Sequence, residues 1–82
     1  MSQAQTTLDA IGPGETVSVA RLEGPEALTT RLYAMGVWPG VEVTRLRRAP
    51  LGDPTLYRLQ GYRLALRKHE ARCIFVAPIG TR

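Results

Sequence analysis

The residues whose side chains could best support catalysis are a cysteine and a histidine one helical turn apart. His69 and Cys73 are the only residues of their types, and a nucleophilic thiol needs a base within hydrogen-bond reach. No third group stands where it could orient His69, and Cys73 directly precedes an apolar segment, residues 74–76. We therefore expect Cys73 to be a small buried side chain, and the sequence predicts that the protein is not an enzyme.

The same turn could offer metal ligands, because Glu70 lies between these two residues. His69, Glu70 and Cys73 supply at most three ligands, so a metal ion there would need water, Asp53 or a second copy to complete its shell. We expect no required cofactor, which leaves only an adventitious divalent metal or one held at an oligomer interface. No phosphate-binding loop is present either, since no Gly-Lys-Ser or Gly-Lys-Thr occurs.

Length and composition indicate one small soluble domain. The chain has 82 residues, of which 44% are hydrophobic and 22% charged, within the globular range. A single cysteine excludes an intramolecular disulfide. No apolar run approaches the roughly 20 residues of a spanning helix, so we expect no membrane insertion. The first residues carry no positive charge, unlike a signal peptide, and the predicted location is cytoplasmic.

Charge is distributed unevenly along the chain. Residues 1–44 hold two basic and five acidic groups, a net charge of −3, whereas residues 45–82 hold nine basic and two acidic groups, a net charge of +7. Ten of the eleven cations are arginines, which bind carboxylates and phosphates through a planar fork. This bias suits a docking surface, although solubility alone would also explain it.

Periodicity predicts a mainly β domain with one helix after its first strand. The arm of residues 1–7 is polar and is expected to be flexible, and residues 8–82 are expected to form the single domain. Alternation and turn residues predict strands at 16–22, 41–48, 55–60, 62–67 and 74–76, a helix at about 25–35, and a helical turn at 68–72. In the strand at 41–48, strict alternation would place Arg45 and Arg47 on one face.

Short strands separated by glycine and proline turns favour a small β-barrel, because closing the sheet removes its unpaired edges. An open α+β sheet is the alternative.

The order of motifs resembles the family of ferrous iron transport protein A, FeoA, over about residues 8–77. The motifs are RLYAMGVWPG at 31–40, APLGDP at 49–54 and LALRKHEA at 64–71, before the final strand. The resemblance implies an SH3-like small barrel in the bacterial cytoplasm. It also implies an accessory protein of ferrous iron uptake that binds the membrane transporter FeoB, either at its cytoplasmic GTP-binding domain or at its membrane portion.

Within this resemblance, two groups of residues have expected roles. The structural group forms turns and the second loop: Gly36, Pro39, Gly40, Pro50, Gly52, Asp53 and Pro54. The candidate partner-binding group combines exposed hydrophobic anchors with arginines: Trp38, Leu51, Arg45, Arg47, Arg63 and Arg67. Trp38 could instead fold back over Leu32 and Met35. Arg31 is expected to pair with a carboxylate. Arg67 could either pair with a carboxylate or contact a partner.

Another class of function stays open beside this one. Small basic barrels often bind nucleic acid, and Arg45, Arg47, Arg58 and Arg63 could follow a phosphate backbone. Stacking groups are few, however, because Tyr57, Tyr62 and Phe75 are expected in the core. Nucleic acid is therefore not the expected partner. A weak metal-sensing module through His69 at an oligomer interface is the remaining alternative, and a homodimer through an exposed strand edge stays open.

Overall fold

The computed structural model of the chain describes residues 6–79, which form one antiparallel sheet with two α-helices and a short 3-10 helix. The elements in chain order are β1 Thr6–Thr7, a 3-10 helix Leu8–Ala10, β2 Thr16–Leu22, α1 Glu26–Ala34, β3 Glu42–Arg48, β4 Thr55–Leu59, β5 Tyr62–Leu66, α2 Lys68–Ala71 and β6 Ile74–Pro78.

Strand β2 is the centre of the sheet, whose order is β1-β6-β2-β3-β4-β5. It pairs with β3 on one side, where Val17 lies opposite Val43, and with β6 on the other, where Val19 lies opposite Val76. All four valines are buried. Alternating β-branched residues place one face of each strand inside the molecule, and this pattern is what the sequence predicted for β2.

Helix α1 comes after β2 and packs against the core through one row of apolar side chains, as the spacing of its apolar residues predicted. Pro25 precedes its first residue, Glu26 lies in the first turn, and an acid there stabilises the positive end of the helix dipole. Leu32 is fully buried, and Leu28 and Met35 pack against the core at its borders. No helix within residues 6–79 combines the length and apolar character needed to cross a bilayer.

The sheet differs from the expected closed barrel because its two edge strands, β1 and β5, do not pair with each other in the described part of the chain. The 3-10 helix packs against α2 and β6 instead. The Tyr57 hydroxyl donates to the Leu8 carbonyl oxygen, 3.5 Å away, and Arg72 pairs with Asp9 across 3.6 Å. The 3-10 helix is thus fixed to β4 by the Tyr57 hydrogen bond and to the end of α2 by the Arg72 ion pair.

The N-terminal boundary of the sheet also differs from the prediction. Thr6 and Thr7, the last residues of the predicted arm, pair with Val76 and Phe75 of β6 and add a sixth strand to the five expected. Residues 1–5 of that arm lie outside the described residues.

A β-bulge overturns the predicted alternation of β3. Arg45 lies opposite Tyr57 of β4, whereas Arg47 lies opposite Leu56, so the register shifts between the two arginines. Residues directly opposite in a sheet share a face, and Leu56 and Tyr57 are neighbours on opposite faces. The bulge therefore places Arg45 inside, with Tyr57, and Arg47 outside, with Leu56. A bulge adds one residue to one strand and reverses the facing of the residues after it.

Candidate functional site

The turn after α1 presents Trp38 at the surface. Its side chain is 53% exposed, and its ring lies against that of Tyr33, with centroids 4.6 Å apart and planes tilted by 44°. The alternative in which Trp38 covers the core is not what the structure shows. The exposed Trp38 and the half-buried Tyr33 form an aromatic pair, and aromatic side chains are enriched at interfaces.

The Trp38 turn is fixed to the sheet by backbone hydrogen bonds. The Val41 N–H donates to the Trp38 carbonyl oxygen across 3.0 Å, and the Gly40 N–H donates to Val19 of β2 across 2.8 Å. Gly40 has a φ of +94°, as a type II turn requires after Pro39. Trp38 is therefore held on a rigid support.

A close contact between α1 and β5 lies beside this turn. The Tyr62 hydroxyl donates to the Met35 carbonyl oxygen and passes so near Gly36 that a Cβ there would collide with the hydroxyl oxygen. Tyr62 is 39% exposed, so its predicted core position is wrong. The Tyr62 hydroxyl occupies the space that a side chain at Gly36 would need. Its hydrogen bond to Met35 connects the end of α1 to β5.

The loop between β3 and β4 presents a second hydrophobic anchor. Leu51 at its tip is 96% exposed. The loop is closed at its base by the Ala49 N–H, which donates to the Pro54 carbonyl oxygen across 2.8 Å. The Asp53 carboxylate accepts the Lys68 N–H at the start of α2, also at 2.8 Å. The Asp53–Pro54 peptide bond is cis.

The two anchors lie near opposite ends of β5. Tyr62, the first residue of β5, contacts Met35, three residues before Trp38. Lys68, two residues after the last residue of β5, donates to Asp53, two residues after Leu51. Four residue steps of about 3.3 Å separate the two ends by roughly 13 Å. A partner that contacts both anchors would therefore extend along this edge strand.

Arg45 does not belong to the candidate surface, which corrects the prediction. The residue is 8% exposed, and its Nη1 donates to the Ile11 carbonyl oxygen. Its Nε has no hydrogen-bond partner in the described structure. Its position opposite Tyr57 directs it inward, where it holds the segment after the 3-10 helix.

Arg47 and Arg63, in contrast, lie on the same outer face of the sheet. Arg63 is directly opposite Arg58 in the β4–β5 pair. Arg47 is opposite Leu56, two residues before Arg58 on the same face. All three arginines are exposed. The structure thus brings together three of the four arginines that the sequence placed on a possible phosphate track.

Arg67 and Arg31 are connected through one buried carboxylate. Glu70, 5% exposed, accepts the Arg67 N–H on its Oε1 at 2.8 Å, and its Oε2 lies 3.0 Å from Nη2 of Arg31 on α1. Arg31 therefore pairs with a carboxylate, as expected. The Arg67 side chain is exposed, so a docking role for it stays a prediction.

The structure does not assemble the weak metal candidates into a site. Both Glu70 oxygens are engaged, and the Cys73 thiol donates to the His69 backbone oxygen at 3.6 Å. Cys73 also packs against Gly24, where a Cβ would lie 2.6 Å from the sulfur. No group of three or more His, Cys, Asp or Glu side chains within residues 6–79 is placed to hold a metal ion.

Two buried acids have shifted pKa values. Burial raises the pKa of the Cys73 thiol above 9.0, with a smaller contribution from the Glu70 carboxylate. Burial also raises the pKa of the Tyr57 hydroxyl above 10.0, although the nearby Arg45 opposes the shift. A thiol that stays protonated at neutral pH is a poor nucleophile, so the thiol has the properties of a structural side chain.

Sequence reasoning missed the double role of Glu70. The signal was its spacing from Arg67, the N-cap residue of α2. A glutamate three residues after the N-cap can accept the free backbone N–H of the N-cap residue. The bulge that separates Arg45 from Arg47 left no comparable signal in the sequence.

Comparison with known proteins identifies related sequences. A family model described as the FeoA domain matches residues 6–78. The chain is 32% identical over 74 residues to an Fe(2+) transport protein A/Fe(2+) transporter FeoB fusion protein of Porphyromonas gingivalis, an alignment that covers 90% of this chain and 9% of that protein. The chain thus spans about a tenth of that relative's length.

Solved structures show the same fold over nearly the whole chain. A FeoA-like protein of Clostridium acetobutylicum superimposes with a TM-score of 0.85 at 30% identity, covering 99% of this chain and 94% of that one. The zinc complex of Stenotrophomonas maltophilia FeoA, described as a prokaryotic SH3 domain protein, gives 0.77 at 28% identity, with coverages of 88% and 89%. The predicted SH3-like fold is confirmed, and because the family model spans nearly all the described residues, this chain belongs to the FeoA family.

Proposed function

We propose that this protein is a cytoplasmic accessory protein of bacterial ferrous iron uptake that acts by binding the FeoB transporter and not by catalysis. The observation that carries the proposal is the Porphyromonas gingivalis relative, in which a matching segment is part of one polypeptide with FeoB. Fusion keeps two partners at high effective concentration, which is useful when the separate domains associate.

The arrangement of the surface supports a binding role. Trp38 and Leu51 are exposed hydrophobic side chains on two rigidly supported turns, and such anchors dominate the energetics of many interfaces. Rigid turns also reduce the ordering cost of association. The proposed interface runs along β5 between these anchors.

A binding titration against the full-length cognate FeoB in detergent tests the proposal. It is carried out with and without guanine nucleotide at about 0.15 M salt, which screens nonspecific charge attraction. We expect saturable binding in at least one nucleotide state, and its absence in both would refute the proposal. We propose that no bound metal is required, so a chelator should leave the nucleotide-free affinity unchanged.

Substitutions at the two anchors locate the contact. We expect Trp38→Ala and Leu51→Asp each to weaken binding by about tenfold or more, the loss of a central anchor. Trp38→Phe and Leu51→Met keep the apolar contact and should bind nearly normally. Thermal melting of each variant checks that the fold survives. If a Trp38→Ala/Leu51→Asp double variant binds like wild type, the anchors are misassigned.

A further inference from the structure

Two arginines face each other directly across the outermost strand pair. Arg58 of β4 and Arg63 of β5 are register partners, and both are exposed. Like charges in directly opposed positions destabilise a sheet. Arg47 lies in the next row of the same face, opposite Leu56, and Leu56 in turn is opposite Ala65. We call these five outward side chains the arginine face.

Within residues 6–79, no carboxylate pairs with the arginines of this face. In the described part of the chain, Arg47, Arg58 and Arg63 form no ion pair with a carboxylate, in contrast to Arg31 and Arg72. Glu42 lines the same shallow pocket as Arg58, but the two side chains form no ion pair in the described part of the chain. An external anion could therefore stabilise this face.

Next to the arginines lies a groove with an apolar floor. It encloses about 510 Å³ between the sheet and the loop after β3. Its lining consists of Arg47, Arg48, Ala49, Pro50, Pro54, Leu56 and Ala65. Leu56 and Ala65 form the floor, and Pro50 and Pro54 come from the loop that carries Leu51. The volume is sufficient for an aliphatic side chain.

We propose that the arginine face binds an extended acidic segment that carries an apolar side chain, and, resting on the function proposed above, that FeoB supplies this segment. Carboxylates of the segment pair with Arg58 and Arg63, and the apolar side chain enters the groove over Leu56 and Ala65. Residues two apart on a strand are about 7 Å apart. An acid and an apolar residue two positions apart in an extended segment match that spacing.

The same surface is poorly suited to single-stranded nucleic acid, because stacking platforms are absent from it. Tyr57 is buried, the Tyr62 hydroxyl is bound to Met35, and the ring of Phe75 lies under Arg21. The remaining aromatic residues of the described chain are Tyr33 of α1 and Trp38 in the turn after it, and their rings pair with each other. Base stacking contributes much of the affinity in such complexes, so we favour a peptide.

An NMR titration of the isotope-labelled full chain tests the surface directly. The probes are a synthetic peptide with glutamates and a leucine at alternate positions, the same peptide with lysines for glutamates, and an oligothymidylate. At about 0.15 M salt, we expect only the first to shift the amide signals of Leu56, Arg58, Arg63 and Ala65. Tighter binding of the oligothymidylate at these residues would overturn the peptide assignment.

Matched variants separate recognition from bulk charge. The double variant Arg58→Gln/Arg63→Gln removes two positive charges from the face, and Arg21→Gln/Arg72→Gln removes two that are ion-paired elsewhere. We expect the first to weaken peptide binding about tenfold or more and the second to have little effect. An equal loss in both would show nonspecific attraction and overturn the proposal.

The FeoB titration with the same two variants distinguishes the two proposals. If wild type and Arg21→Gln/Arg72→Gln bind FeoB and Arg58→Gln/Arg63→Gln binds about tenfold less tightly, the face is the FeoB contact. If all three bind equally, the face is excluded as the contact while the proposed function survives. If wild type fails to bind FeoB, the proposed function fails, and the peptide titration alone then reports on the chemistry of the face.

Discussion

At the scale of single residues, Glu70 connects the two helices with one carboxylate. One oxygen accepts the backbone N–H at the start of α2, and the other pairs with Arg31 of α1. The two interactions differ in expected strength, because Glu70 is buried while the Arg31 side chain is 61% exposed. Exposed partners contribute little through charge, whereas loss of a buried acceptor leaves a donor unsatisfied.

We therefore predict that Glu70→Ala lowers the free energy of unfolding by about 1–3 kcal/mol and that Arg31→Ala lowers it by less than about 1 kcal/mol. Urea denaturation of both single variants and the double variant measures the coupling between them. A loss at Arg31 that equals the loss at Glu70 would show that the ion pair, and not the backbone cap, is the dominant interaction.

Gly36 is constrained in two independent ways. Its φ is +97°, a conformation that side chains rarely adopt, and the Tyr62 hydroxyl occupies the space that a Cβ would need. We predict that Gly36→Ala costs more than about 1 kcal/mol of stability. In a Tyr62→Phe background the same change should cost less, because the conflict with the hydroxyl is removed, and only the unfavourable backbone conformation and a 3.2 Å approach to the ring carbon Cζ remain. Urea denaturation of the four proteins measures the difference, and equal costs in both backgrounds would exclude the steric contribution.

At the scale of elements, the sequence predicted most strands and the main helix. Their buried residues recur at every second position in the strands and at every third or fourth position in the helix. The predicted strand 16–22 and helix 25–35 agree with β2 and α1 to within one residue at each end. The facing of Arg45 and Arg47 was predicted wrongly, because a bulge depends on the register with β4 and not on local alternation. Burial of Arg45 likewise depends on the carbonyl of Ile11, 34 residues earlier.

The candidate surface was predictable only in part for the same reason. Turn chemistry indicated that Trp38 and Leu51 would lie on turns, but not that both turns adjoin β5. That relation depends on the Tyr62 and Asp53 contacts, which join distant segments. Similarly, the arginines were recognised as a group, but only strand pairing shows that Arg58 and Arg63 are direct neighbours.

At the scale of the whole molecule, two buried acidic groups make the folded state less stable at alkaline pH. The pKa values of Cys73 and Tyr57 are raised by burial above 9.0 and 10.0. The unfolded chain therefore loses these protons first, and the folded state becomes less stable as pH rises. The contribution is complete below the unfolded pKa values and is lost as pH passes through the higher folded values.

We predict that the free energy of unfolding falls as the pH is raised from neutral to above the ordinary pKa values of the two groups, 9.0 and 10.0. Tyr57→Phe and Cys73→Ala should each make the decline shallower, whatever their effect on stability at neutral pH. Chemical denaturation across this range provides the measurement. A wild-type stability that stays constant over the range would contradict the assignment of these groups as buried acids.

The exposed position of Trp38 also makes the protein its own optical reporter. Trp38 is the only tryptophan in the chain, so the indole emission of the isolated protein comes from the turn after α1. A half-exposed indole emits at longer wavelength than a dry one, and its brightness responds to quenchers dissolved in the buffer. Covering this turn with a non-fluorescent ligand would shift the emission to the blue and shield it from quenching, which allows occupancy of this surface to be followed without an attached dye.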